Sequence, residues 1–128
     1  MRLIIGLPNA GKTTYSAQFE PVYHADDFKR NGVDLWELIK QEGIVIEGLF
    51  DTARVRKKIV KAASRPCVCY WLDVPVEECI RREKRGRKEW FFEMHNRDFQ
   101  PPTYDEGWDE IIRIRPEDKD APAPLEEV

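Results

Sequence analysis

The chain has 128 residues, of which 41% are hydrophobic and 35% are charged, and its formal net charge is −3. This length fits one domain, and the apolar content excludes a disordered chain. No apolar run approaches the ~20 residues that a membrane span requires, and the apolar segment at 1–6 is too short for a secretory signal. We therefore expect a cytoplasmic protein without a membrane partner.

Short apolar runs alternate with segments of helix-like periodicity along the chain. This alternation is typical of an α/β protein, and it predicts a five-stranded, mainly parallel sheet with helices on both faces, in a single domain over 1–115. The predicted strands are Arg2–Gly6, Pro21–Ala25, Gly43–Glu47, Cys67–Asp73 and Glu110–Arg115. The predicted helices are Lys12–Phe19, Asp34–Gln41, Thr52–Ala63, Val76–Arg85 and Glu89–Phe99.

Two local signals mark where elements begin and end. Asp73 precedes Val74-Pro75 and is predicted to cap the next helix, with proline in its first turn. From Pro116 onward the chain is rich in proline and charge and has no periodicity. This composition predicts an acidic, proline-rich mobile tail over 116–128.

The three cysteines, Cys67, Cys69 and Cys79, form no CxxC pair and have no histidine at metal-ligand spacing. The pattern therefore favours neither a disulfide nor a zinc site. Cys67 and Cys69 lie two positions apart on a predicted strand, so we expect both to pack on the same face as small hydrophobic residues.

The strongest motif is Gly6-Leu7-Pro8-Asn9-Ala10-Gly11-Lys12-Thr13, which matches GxxxxGK[ST] between a predicted strand and a predicted helix. Gly6 and Gly11 permit backbone conformations that let successive N–H groups surround phosphate oxygens at the helix N-terminus. We expect Lys12 to contact the β- and γ-phosphates and Thr13 to offer its hydroxyl to Mg²⁺. The motif alone does not separate a kinase from a GTPase, an ATPase or a passive nucleotide binder.

Acidic residues follow three other predicted strands, and ligands of open parallel sheets bind at the carboxyl ends of strands. Asp26 is a candidate general base that accepts the proton of an attacking alcohol, with Asp27 as the second choice. The alternative is that either aspartate only caps a helix starting near Phe28. Glu47 is a candidate Mg²⁺ ligand, acting directly or through water; its alternative is pairing with a helix terminus or Arg54.

Six of the eight residues at 81–88 are cationic, and Gly86 interrupts the run. Mobile arginines that close over a transferring phosphoryl group stabilise its charge and exclude water, so this segment is a candidate lid. A charged run is also commonly just a solvated surface. A second basic group surrounds the helix after Glu47, and the two groups together would offer a positive path for a nucleic-acid backbone. Its members are Arg54, Arg56, Lys57, Lys58, Lys61 and Arg65.

Aromatic residues Trp90, Phe91 and Phe92 follow the lid directly. One of these rings is a candidate for stacking on an acceptor base. The spacing of Trp90, Phe91, Met94 and His95 instead favours a buried helix face.

These residues together resemble the P-loop polynucleotide kinase family, both the phage-type 5′-hydroxyl kinases and the kinase domain of polynucleotide kinase/phosphatase. The resemblance extends to about Arg115 and depends on four segments. They are Gly6–Thr14, Asp26-Asp27-Phe28, Leu72–Pro75 leading to Arg82 and Lys84-Arg85-Gly86, and Pro101–Trp108 with Ile111-Ile112. The resemblance implies the sheet order 2-3-1-4-5, ATP and Mg²⁺ as cofactors, and a phosphotransferase that acts on an alcohol group.

The resemblance also implies roles for individual residues. Asp26, Lys12, Arg82 and Arg85 fall at catalytic positions, and Thr13 and Glu47 fall at the metal. The implied ATP-binding residues are Gly6, Asn9, Ala10, Gly11, Lys12, Thr13, Thr14, Arg82 and Arg115. Candidate acceptor-binding residues are Asp27, Lys29, Arg30 and Arg54. Two positions depart from the family pattern: Lys29 stands where an arginine is expected, which prevents bidentate phosphate binding, and Glu47 replaces the usual aspartate.

The implied acceptor is a hydroxyl on nucleic acid, DNA rather than RNA, and first of all a 5′-hydroxyl end, with no obligate protein partner. If the chain is phage-encoded, it would act in the host cytoplasm. Small phage relatives that phosphorylate a hydroxymethyl group on a modified pyrimidine such as 5-hydroxymethyluracil provide an alternative acceptor. A kinase of nucleosides or other small metabolites is a further alternative, and an ATP-dependent binding switch is the non-enzymatic one.

Overall fold

The computed structural model describes residues 1–118 and contains a five-stranded parallel sheet in the order β2-β3-β1-β4-β5. This confirms the predicted α/β class and strand order. The strands are β1 (Arg2–Gly6), β2 (Tyr23–His24), β3 (Val45–Gly48), β4 (Val68–Leu72) and β5 (Glu110–Ile114). β1 pairs with β4 over five positions, whereas the edge strand β2 pairs with β3 over only two.

The helices are α1 (Lys12–Ser16), α2 (Phe28–Asn31), α3 (Leu35–Leu38), α4 (Ala53–Ala62), α5 (Val76–Arg81) and α6 (Glu89–Asp98). Short 3-10 turns add Ala25–Asp27, Tyr104–Glu106 and Pro116–Asp118. Most helices end earlier than their periodicity predicts. In α1, for example, the N–H of Ala17 donates to Thr14 rather than continuing the α-helical pattern.

Two apolar cores cover the two faces of the sheet, as expected for a parallel sheet. One contains Ile4, Tyr70 and Phe92, and the other contains Leu3, Ile46 and Ile59. Cys67 and Cys69 both lie in the second core, which confirms that they share a face. Burial raises the pKa of the Cys69 thiol to about 12, so it remains protonated at neutral pH and is a poor nucleophile.

The predicted helix cap at Asp73 is wrong. Helix α5 has Pro75 at its N-cap position, and no side chain caps it. The Asp73 carboxylate instead accepts a hydrogen bond of 2.7 Å from Arg113 Nε, while its backbone N–H donates to Ile114. Asp73 is therefore held at the edge of β5, where a cationic partner is available.

A buried ion pair joins α4 to the segment before β5. Arg56 is fully buried, and its Nε donates to Glu106 Oε1 over 2.8 Å. The other guanidinium nitrogens donate to the carbonyls of Phe50 and Gln100, and Trp108 Nε1 also donates to Glu106. Burial opposes ionisation of Glu106, but the hydrogen bonds from Arg56 and Trp108 outweigh it and lower its pKa. This pair holds the chain just after β3 against the sheet.

Two further sequence predictions concern the C-terminal tail and the absence of a membrane-spanning segment. Residues 119–128, most of the predicted tail, lie outside the described residues, and Pro116–Asp118 form a 3-10 turn. Within residues 1–118, none of the helices has the length and apolar character needed to cross a bilayer.

Candidate active site

The phosphate-binding motif forms the loop between β1 and α1. Gly11, at the N-cap of α1, has φ +95°, a left-handed conformation that glycine adopts at little cost. Gly6 does not have a positive φ; its role is space, because a Cβ there would lie 3.1 Å from the carbonyl oxygen of Leu72. Asn9 also adopts a left-handed conformation, with φ 66°. At Gly11 the loop has the special backbone conformation that the motif predicts. At Gly6 glycine is needed for space instead, because a side chain would collide with Leu72.

The side chain of Lys12 forms hydrogen bonds with the backbone of this loop. Its Nζ donates to the carbonyl oxygens of Gly6 and Leu7 over 2.9 and 2.8 Å. Burial lowers the pKa of Lys12, while the negative charges of Glu47 and Asp26 oppose that shift. The ammonium group thus lies in the field of both candidate acids, and phosphate oxygens would replace the carbonyls as its partners.

Two cavities meet at this loop and share the residues Gly11, Thr14 and Arg82. The first, here called the Arg115 cavity, has a volume of about 560 Å³ and includes Ala10, Tyr15, Leu72, Val74 and Arg115 in its lining. The second, the Lys12 cavity, has a volume of about 550 Å³ and includes Lys12, Thr13, Asp26, Glu47 and Arg85. Two cavities of similar size and similar polarity therefore adjoin, and the Lys12 cavity contains the predicted catalytic residues.

Asp26 and Asp27 lie in the same 3-10 turn after β2 but face different surroundings. Asp26 lines the Lys12 cavity, and among residues 1–118 no group donates a hydrogen bond to its carboxylate. Asp27 does not line the cavity and lies 3.7 Å from Arg30. Neither side chain caps the following helix. Of the two acids, Asp26 is therefore the one available to a group entering the cavity.

Gly48 brings this turn close to β3. A Cβ at position 48 would lie only 2.8 Å from the Cβ of Ala25 and 2.7 Å from the ring of Phe50. Any larger residue would push the Ala25–Asp27 turn away from the end of β3. Glycine at this position therefore sets the separation between Asp26 and Glu47.

Glu47 is 6% exposed and has His24 as its partner, at 2.8 Å between Nδ1 and Oε1. The alternative partners, a helix terminus or Arg54, are wrong. His24 and Glu47 are register partners in β2 and β3, a relation that the sequence does not display. The bond engages one carboxylate oxygen of Glu47, a residue that also lines the Lys12 cavity.

The cationic segment at 81–88 begins in the last turn of α5 and is joined to the phosphate-binding loop. Asn9 Nδ2 donates to Glu83 Oε1 over 2.9 Å, and Arg87 Nη2 donates to Asn9 Oδ1 over 2.9 Å. Arg87 also donates to Glu83, and hydrogen bonds from Arg87 and Asn9 lower the pKa of Glu83 to about 2. We call Asn9, Glu83 and Arg87 the lid latch.

The lid latch places arginines along the Lys12 cavity. Arg82, Arg85 and Arg87 all line it, and Arg82 Nη1 also donates to the Asn9 carbonyl over 3.1 Å. No described carboxylate pairs with the Arg85 guanidinium. The sequence analysis did not predict the bonds of Glu83 and Arg87 with Asn9. In a run of charged residues, only the folded structure shows which side chains point inward and pair.

We expect Glu83→Gln to loosen this segment, because glutamine cannot accept charge-assisted bonds from Arg87. Trypsin cleavage between 82 and 88 should then become ~10-fold faster, since local opening limits cleavage of ordered segments. Timed digestion followed by mass spectrometry measures this rate. Glu93→Gln, on an exposed part of α6, is the matched control, and equal cleavage rates in the two variants would contradict the latch.

Four predicted acceptor-binding residues are not brought into the Lys12 cavity. Its lining does not include Asp27, Lys29, Arg30 or Arg54, so their roles stay predictions. The lining instead includes Leu49, Phe91 and His95. Phe91 and His95 meet edge to face, with ring centroids 4.7 Å apart.

The predicted burial of Trp90 is wrong, whereas other aromatic residues of α6 do turn inward. Trp90 is 65% exposed and Phe92 is buried. Because α6 begins at Glu89, Trp90 lies in its first turn, where it packs edge to face against Phe91 and otherwise faces solvent. Base stacking on Trp90 stays a prediction.

The residues present fit a nucleotide-bound Mg²⁺ better than an independent metal centre. Among residues 1–118, no cluster of three or more histidine, cysteine or acidic side chains is arranged to hold a metal. Mg²⁺ usually takes one or two protein ligands and completes its shell with phosphate oxygens and water. Thr13 and Glu47 both line the Lys12 cavity and carry oxygen atoms of the kind that such a site would use.

In comparisons with known proteins, no family model and no curated protein matches this chain.

Proposed function

We propose that this protein is an ATP- and Mg²⁺-dependent kinase that transfers the γ-phosphate to a hydroxyl on nucleic acid. The observation that carries the proposal is the Lys12 cavity, which Asp26 and Lys12 both line and in which no group of residues 1–118 donates a hydrogen bond to the Asp26 carboxylate. Asp26 is exposed to solvent at this cavity, and a protein that only binds a nucleotide does not require a carboxylate at that place. A kinase needs a group there that accepts a proton.

In this proposal the donor nucleotide extends across both cavities, with its nucleoside in the Arg115 cavity and its phosphates in the Lys12 cavity. The Arg115 cavity takes the nucleoside between the apolar residues Leu72 and Val74 and the guanidinium groups of Arg82 and Arg115. The backbone of Gly11 and the ammonium group of Lys12 hold the phosphates at the N-terminus of α1. Thr13 and Glu47 hold Mg²⁺, which when bound offsets charge on the phosphate oxygens.

The transfer step follows from the positions of Asp26 and the lid arginines. The acceptor oxygen forms a bond to the γ-phosphorus while the bond to the β-phosphate bridging oxygen breaks, and ADP leaves. Asp26 takes the hydroxyl proton during this attack. Arg82 and Arg85 stabilise the negative charge that spreads over the γ-oxygens.

A 5′-hydroxyl end is the first acceptor to test. Incubation with γ-labelled ATP, Mg²⁺ and a 5′-hydroxyl oligonucleotide should label the oligonucleotide, and free nucleosides added in excess should not compete. Lys12→Ala should lower the rate by ~10³-fold or more, since it removes the phosphate-binding ammonium group. Label that appears only as inorganic phosphate would contradict the kinase proposal, and competition by nucleosides would favour a small-metabolite kinase.

The lining of the Lys12 cavity favours a second acceptor, the hydroxymethyl group of 5-hydroxymethyluracil in DNA. The rings of Phe91 and His95 and the side chain of Leu49 suit a planar base, whereas Lys29 and Arg30, the cations expected to bind the 3′-phosphate of an end nucleotide, do not line this cavity. A duplex that contains this base, with both 5′ ends already phosphorylated, separates the two acceptors. Labelling of that duplex, absent from an unmodified one, would identify the base as acceptor.

A further inference from the structure

Helix α4 has one buried side and one strongly basic side. Arg56, Ile59 and Val60 face the core. The opposite side exposes four cations at helical spacing, and α4 contains no acidic residue. We call these four residues, Arg54, Lys57, Lys58 and Lys61, the α4 basic face.

The basic face has no compensating charge in the described part of the chain. None of its four cations lies within ion-pair distance of a carboxylate of residues 1–118, whereas exposed Arg65, Arg81 and Arg97 each have one. Like charges three or four positions apart on a helix repel each other and destabilise it. The chain has a net charge of −3, so an overall excess of cations does not explain this cluster.

The position of the cations is also unfavourable for the helix itself. Arg54 is the second residue of α4, and its first turn contains no acid. A helix N-terminus carries partial positive charge and favours acidic side chains, so Arg54 opposes the helix dipole. An external polyanion would relieve both this interaction and the repulsion between the lysines.

We propose that the α4 basic face binds the sugar–phosphate backbone of the acceptor nucleic acid away from the reacting hydroxyl. The inference rests on the proposed function for the acceptor's identity. Only three residues separate Leu49 of the Lys12 cavity from Ala53 at the start of α4, so Arg54 lies near the candidate active site. From Arg54 to Lys61 the helix rises ~10 Å, a length that spans ~3 base pairs of duplex.

The test removes two charges from the face and two from elsewhere. Lys57→Gln/Lys61→Gln is compared with Lys40→Gln/Arg97→Gln, because both pairs are exposed and glutamine is a good helix former. Binding of a fluorescent 20-base-pair duplex is measured by anisotropy at several salt concentrations. We expect the slope of log Kobs against log salt to fall by ~2 in the first variant and to stay unchanged in the control. Equal slopes in both variants would overturn the proposal.

The kinetics of phosphate transfer show whether the α4 basic face contacts the acceptor inside or outside the active site. In the α4 variant, KM for the 20-base-pair acceptor should rise ~10-fold, while kcat and the KM for a dinucleotide acceptor remain as in the wild type. A raised KM for the dinucleotide would place the effect inside the active site and contradict a remote contact. If no nucleic acid accepts phosphate, the proposed function fails, but the salt slope still decides whether the basic face binds the duplex.

Discussion

Asp26→Asn should lower kcat by ~10²–10⁴-fold while the affinity for ATP changes little. Asparagine keeps the size of the side chain and its place in the Ala25–Asp27 turn, but it cannot take a proton from the acceptor hydroxyl. Asp26 contributes charge rather than structure, because no described residue donates a hydrogen bond to it. Single-turnover transfer of labelled phosphate, together with nucleotide binding by calorimetry, measures the two quantities separately.

Asp27→Asn is the matched control, because it removes the same charge from the next residue of the same turn. Its carboxylate lies near Arg30 and outside the Lys12 cavity, so we expect near wild-type kcat. Equal losses in the two variants would mean that net charge of the turn, not proton transfer, is responsible. An ATP-dependent binding switch predicts instead that Asp26→Asn leaves nucleotide-dependent partner binding intact and that no transfer occurs in the wild type.

Glu106→Gln should lower the free energy of unfolding by ~3–5 kcal/mol, since it leaves the buried Arg56 guanidinium without a counter-ion. Arginine cannot escape this cost by losing its proton. Urea unfolding followed by tryptophan fluorescence measures the change, because Trp108 lies in the pair's surroundings. Replacing both partners, Arg56→Met with Glu106→Leu, should recover much of the loss.

The acid dependence of stability gives a second measure of this pair. The pKa of Glu106 is lower in the folded protein than in the unfolded chain, so its contribution is complete above ~4.3, the unfolded value. It is lost as the pH falls from there through the folded pKa. Glu106→Gln should therefore flatten the loss of stability as the pH falls below ~5. Glu93→Gln, on the exposed side of α6, should retain the wild-type slope; the same slope in Glu106→Gln would contradict the assignment.

The sequence predicts the sheet well, because each strand is a local apolar run and the phosphate-binding loop fixes where β1 ends and α1 begins. Helix ends are less predictable. Helix α5 ends at Arg81, four residues before the end that its periodicity predicts. Beyond that point Glu83 and Arg87 form hydrogen bonds with Asn9. Pairing across more than seventy positions leaves no trace in local sequence. The partnership of His24 with Glu47 spans only 23 positions, but it depends on the register between β2 and β3, which local sequence does not show.

Some signals were present in the sequence but were outweighed. Arg56 belongs to a basic group, yet its spacing to Ile59 and Val60 places it on the apolar side of α4, where it is buried. Asp73 has the sequence context of a helix cap, but Arg113 on the neighbouring strand provides a stronger partner. In both cases an ion pair formed by the fold overrides a local preference.

The sheet holds the two sides of the candidate active site unequally. The nucleotide loop emerges from β1, which has neighbours on both sides, whereas Asp26 follows an edge strand held by two register pairs. Remodelling of the short segment around that edge strand would therefore disturb few backbone bonds. On the proposed function, laboratory evolution toward new alcohol acceptors should therefore accumulate substitutions in this segment and leave the phosphate-binding loop unchanged.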